Sequence, residues 1–125
     1  MQFKIEKFDK YTLVTVQSEK LTNTVAPLLK AQVVTLFQEE GITNLLIDMS
    51  AVKYVDSSGL SAILVANRLA NEAQGILVLA GVTDYVMKII TISKLDSVLT
   101  MVPTVNEGVD AIFLNQLERD LGKEE

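Results

Sequence analysis

Two short, uninterrupted apolar runs, Leu45-Leu46-Ile47 and Ile76 to Ala80, each lie between segments of helical period. A strand that is apolar at every position has to be covered on both faces, and strands separated by helix-length segments join as parallel neighbours through right-handed crossovers. The rest of the chain fits that frame. Residues 3–8, with Phe3 and Ile5, and residues 11–16, with Tyr11, Leu13 or Val14, and Val16, alternate apolar and polar around Asp9-Lys10, the pattern of a hairpin. From Val25 to Glu40 apolar residues recur at helical spacing, Pro27 is tolerated in the first turn, and Gly41 gives the stop signal. Further helices are predicted from Ser57 to about Gln74, closed by Gly75, from Asp84 to Ile92, and from Asn106 to Leu121. A last strand is predicted over Val98 to Val102 before Pro103. The fold class is therefore α/β, a mixed and mostly parallel sheet preceded by a hairpin and accompanied by about four helices.

With 125 residues, 49% of them hydrophobic, and no linker or repeat, the chain is expected to form one domain over 1–125. Cysteine and histidine are both absent. Their absence removes disulfides, thiolate and imidazole metal ligands, and the Ser-His-Asp and Cys-His catalytic arrangements, so no metal or cofactor is expected. No apolar window is long enough for a membrane span, and the amino terminus, M-Q-F-K-I-E-K-F-D-K, lacks the apolar core of a signal peptide. The reading is a cytoplasmic protein without direct membrane insertion. A formal charge of -5 without a Lys/Arg cluster argues against nucleic acid as a partner. Nothing in the sequence fixes an oligomeric state.

The stretch V-D-S-S-G-L-S, residues 55–61, poses a sharper question, because a helix start needs one capping residue and here three candidates adjoin. Asp56 can cap the helix, and Gly59 can permit close approach to the sheet. On a wheel of 100° per residue Ala62, Ile63, Ala66, Leu69, Ala70 and Ala73 form a core-facing arc. Ser57, Leu60, Ser61, Leu64 and Arg68 share the opposite side, an exposed and partly apolar face suited to docking a partner. A serine at a helix start, among free N–H groups, is also a plausible phosphoacceptor. Asp48 and Asp56 are read as turn and cap residues, not as a catalytic or metal-binding pair.

Taken together, I-D-M-S-A-V-K-Y-V-D-S-S-G-L, from Ile47 to Leu60, resembles the signature of STAS domains, in particular the bacterial anti-sigma-factor antagonists. The flanking segments L-T-N-T-V-A-P-L-L-K, I-L-V-L-A-G-V, V-M-K-I-I-T-I-S-K-L and P-T-V-N-E-G-V-D-A-I follow the family's order. The chain departs from the family pattern at Thr22, where an aspartate is usual, and at Lys94, where a glycine is usual. The resemblance implies a small sheet with helices on one side and a regulatory protein, not an enzyme. It also implies phosphorylation of the serine after the motif's aspartate, here Ser57 with Ser58 as runner-up. The implied partners are an anti-sigma factor that is itself a serine kinase, captured by the unphosphorylated form, and a phosphatase that resets it. Asp56, Ser57, Gly59, Leu60, Ser61, Leu64 and Arg68 form the expected partner-binding set. The alternative is a STAS adaptor subunit of a larger complex, such as lipid-transport machinery, whose serine is never modified.

Overall fold

Alternation in the first sixteen residues produces β1 (Phe3–Lys7) and β2 (Thr12–Val16), antiparallel with Ile5 opposite Val14. The computed structural model describes residues 2–123, so Glu124 and Glu125 of the expected charged tail lie outside the described residues. Two-residue strands β3 (Lys20–Leu21) and β5 (Tyr54–Val55) pair in parallel as a separate small sheet. Between them run α1 (Ala26–Val34) and β4 (Leu45–Asp48). Then come α2 (Ser57–Glu72), β6 (Leu77–Ala80), α3 (Asp84–Ile92), β7 (Thr100–Val102) and α4 (Val105–Lys123). The main sheet has the order β1-β2-β4-β6-β7, and all its pairings after β1–β2 are parallel.

The apolar runs behave as two-sided strands. Leu45, Ile47, Leu77 and Leu79 face a core shared with α1, α2 and α3, whereas Leu46, Val78 and Ala80 face Ile112 of α4. Each fully buried Leu or Ile contributes about 1.5–3 kcal/mol, so the faces are anchored independently. Helices therefore cover both faces of the sheet, which corrects the one-sided covering that the resemblance implies. Leu46, Val78 and Ala80 would otherwise be left in water.

Several boundaries differ from the sequence reading for identifiable reasons. The helix expected to Glu40 changes at Val34 into a π-helical turn, Thr35–Glu39, whose closing bond runs from the Glu40 N–H to the Thr35 carbonyl at 3.1 Å. The wide turn carries both Leu36 and Phe37 into the core. Helix α2 ends at Glu72, and the left-handed residue beyond it is Gln74 (φ 62°), not Gly75. Gly75 is needed for contact: a Cβ there would lie 1.7 Å from the Thr43 carbonyl oxygen. The final strand starts at Thr100, because the Val98 N–H closes a turn onto the Leu95 carbonyl and Val98 is 51% exposed. The two-residue sheet is too short to show any periodicity.

Candidate functional site

The chain leaves β5 at Val55, which is buried, and Asp56 is extended (φ -113°, ψ -173°), so its carboxylate folds back over the start of α2. Asp56 Oδ1 accepts the N–H groups of Ser58 and Gly59, each at 3.0 Å, and the Ser58 hydroxyl at 2.6 Å. This is an N-cap that uses an additional hydroxyl. The adjacent serines thereby acquire different surroundings. Ser58 is half-buried and its Oγ is held by Asp56; Ser57 is exposed, and its Oγ makes no hydrogen bond among the described residues.

These bonds hold the Asp56 carboxyl below its ordinary value of 3.8. The hydrogen bond from the Ser58 hydroxyl is the largest cause and the Gly59 N–H the next, with smaller contributions from the Ser58 and Asn23 N–H groups, against a partial opposing desolvation. A depressed folded value means that ionised Asp56 stabilises the fold above its unfolded pKa and loses that contribution as the pH falls through the folded one. The stability advantage of the native chain over Asp56→Asn should therefore be flat from neutrality down to about pH 5 and shrink only near and below 3.8. Chemical denaturation of both proteins across pH 2.5–8 checks this. An advantage that changed between pH 5 and 8 would refute it.

Along α2, Ser57, Leu60, Ser61, Leu64 and Arg68 line one shallow groove of about 420 Å³, joined by Val65 and by Leu95 from the turn after α3. Ser61 and Arg68 are exposed, and Leu64 is 36% exposed. Leu60 is half-buried and packs against the main core, so its placement on a fully exposed face is corrected. Gly59 is buried and does not line the groove. Its Cα faces the small sheet, where an added Cβ would lie 2.3 Å from the Leu21 carbonyl oxygen. Arg68 is committed to Glu72 one turn on, at 3.2 Å.

Leu95 and Val65 are groove residues that the wheel does not select. Leu95 arrives from another element, beside Lys94 at φ 61°, so the lysine at the position where the resemblance implies a glycine adopts the left-handed turn. Thr22, the other departure, accepts the Val25 and Ala26 N–H groups at its carbonyl as α1 begins. Next to the site Tyr54 of β5 and Tyr85 of α3 stack with centroids 5.4 Å apart. Asp48 accepts the Ser50 N–H at 3.0 Å, so the two aspartates each serve their own turn. Among the described residues, no group of three or more Asp and Glu is placed to hold a metal ion, and no helix is long and apolar enough to cross a membrane.

No curated protein matches the chain. Solved structures do. An anti-sigma-factor antagonist (STAS) domain protein from Planctomyces limnophilus superposes with a TM-score of 0.79 at 19% identity, covering 88% of this chain and 97% of that one. The Bacillus cell fate determinant SpoIIAA in its phosphorylated form gives 0.69 at 18% identity, covering 88% and 98%. A serine-to-glutamate variant of RsbS from Moorella thermoacetica gives 0.77 at 23% identity, covering 95% and 99%. At these identities the likeness establishes the fold. The STAS domain family model matches residues 2–108, and the chain belongs to that family.

Proposed function

We propose that this protein is an anti-sigma-factor antagonist switched by phosphorylation of Ser57, which captures an anti-sigma factor with serine kinase activity while Ser57 is unmodified. The observation that carries the proposal is the division of labour in the doublet. The Ser58 hydroxyl is consumed by the cap, while the Ser57 hydroxyl is free at the helix start and borders an apolar groove. Similarity to antagonists that include SpoIIAA in a phosphorylated form supports the same reading. In this scheme the protein is a substrate and a binding partner, not an enzyme; it acts in the cytoplasm, and a phosphatase resets it.

The test is intact-mass measurement after incubation with ATP and the cognate kinase. One phosphate is expected on the native chain and on Ser58→Ala, and none on Ser57→Ala. Phosphate retained on Ser57→Ala would overturn the assignment, and no phosphate on any form would favour an unmodified adaptor that uses the same groove.

Leu64 is the groove residue whose replacement best separates binding from folding, since Leu60 also packs on the core. Leu64→Asp is expected to weaken capture at least tenfold, about 1.4 kcal/mol, with little change in melting temperature. Titration calorimetry paired with thermal unfolding checks it. A large fall in stability would place Leu64 among the core residues instead.

A further inference from the structure

Strand β1 is one edge of the main sheet, and among the described residues nothing pairs with its outer side. Which backbone groups face outward follows from the ladder. The Gln17 N–H donates to the Gln2 carbonyl at 2.8 Å, and the Phe8 N–H to the Tyr11 carbonyl at 2.9 Å. Bonded and non-bonded pairs alternate along an antiparallel ladder, so Lys4 and Glu6 also spend their backbone groups on β2. Phe3, Ile5 and Lys7 therefore present N–H and C=O groups to the open edge.

We propose that two copies of this chain associate through β1, antiparallel about Ile5, into one continuous sheet. Two-fold pairing of an edge on itself must match outward-facing groups with outward-facing groups, which allows the strand to centre on Lys4, Ile5 or Glu6. Centring on Lys4 sets Lys4 against its own copy, and centring on Glu6 sets two glutamates face to face. Centring on Ile5 sets Lys4 opposite Glu6 of the second copy, twice, and forms bonded pairs of Ile5 with Ile5 and of Phe3 with Lys7. Opposite charges directly across a strand pair stabilise it and like charges oppose it, so the charge order in K-I-E selects one register.

The other face of the edge agrees. Phe3 and Ile5, with Leu28 and Ala31 of α1, line an apolar groove of about 510 Å³ along this border, and Leu28 is 51% exposed. A second copy, related by the two-fold axis, brings an equivalent groove alongside and shields both. The α2 groove shares no residue with this border, so each subunit keeps its own.

Sedimentation velocity of the full chain over a range of concentrations tests the pairing. A dimer that dissociates on dilution is expected. Lys4→Glu and Glu6→Lys should each weaken it by about tenfold or more, since each converts two attractive cross-strand pairs into repulsive ones. The double exchange Lys4→Glu with Glu6→Lys should restore it. Ile5→Pro, which removes an outward N–H and no β1–β2 bond, should abolish it while circular dichroism still reports the fold. The proposal is overturned by a monomer at all concentrations up to about 1 mM, by a dimer indifferent to the single charge changes, or by one lost instead on Leu117→Glu in the exposed face of α4.

Discussion

Phosphate on Ser57 is expected to lower affinity for the proposed anti-sigma-factor partner at least about a hundredfold, about 2.8 kcal/mol, while changing the free energy of unfolding by no more than about 1 kcal/mol. The phosphate brings roughly -1.5 to -2 charges near neutral pH. Within the folded domain two effects oppose each other. The start of α2 attracts the charge, typically by about 0.3–1 kcal/mol, and Asp56, held in its ionised form by the cap, repels it. At a docked surface the balance is different. Leu60, Leu64, Val65 and Leu95 line the groove, and its own cation, Arg68, is paired with Glu72. Arg68 also stands three turns on, about 16 Å along the axis, too far to reach the phosphate. The charge must then be desolvated against apolar side chains without a free counter-ion among the residues that line the groove, a loss of several kcal/mol unless the partner supplies one. Calorimetric titration of enzymatically phosphorylated protein, beside its denaturation curve, makes the comparison. Unfolding of the domain, or affinity as strong as before, would rule out release by local repulsion. Ser57→Asp carries about half the charge and is expected to give a smaller loss.

The α/β frame was legible because it rests on burial. Leu45 to Ile47 and Leu77 to Ala80 are apolar at every position because both sides of the sheet are covered, and that pattern survives without knowledge of partners. The hairpin and the stripe of Ala62, Ile63, Ala66, Leu69 and Ala70 were legible for the same reason. What could not be read comes from contacts between distant segments. Leu60 looks solvent-facing on a wheel, but its surroundings include residues outside α2, among them Leu95, and no helical period contains them. The β3–β5 pair joins residues more than thirty positions apart through two-residue strands. The fates of Ser57 and Ser58 were likewise not separable in sequence, since the Asp56 carboxylate selects the Ser58 hydroxyl by geometry alone. In sequence Gly75 reads as a terminator, because a glycine after a helix usually is one. Here Gln74 takes the left-handed turn, and Gly75 meets the Thr43 carbonyl.

The same kind of contact makes Gly59→Ala a severe substitution, with an expected loss of about 3 kcal/mol or more and a fall in melting temperature of about 10 °C or more. Alanine is ordinarily the better helix former by about 1 kcal/mol, so helix propensity alone would predict a gain. The surroundings reverse the sign. A Cβ at this position would lie 2.3 Å from the Leu21 carbonyl oxygen and 2.5 Å from Val55 Cγ2. Val55 is a buried side chain, and the Leu21 oxygen belongs to the backbone of β3, so neither can move aside without separating the start of α2 from the small sheet. The cap would be disturbed with it, because the Gly59 N–H is one of the donors to Asp56. Gly122→Ala supplies the control: the position is also in a helix, and nothing stands within 4 Å of its added Cβ. It should be neutral or slightly stabilising. Thermal and denaturant unfolding of the two variants decide the matter. If Gly59→Ala were as stable as the native chain, α2 would not be held against β3 and β5 at this distance, and the placement of Ser57 at the groove would lose its structural basis.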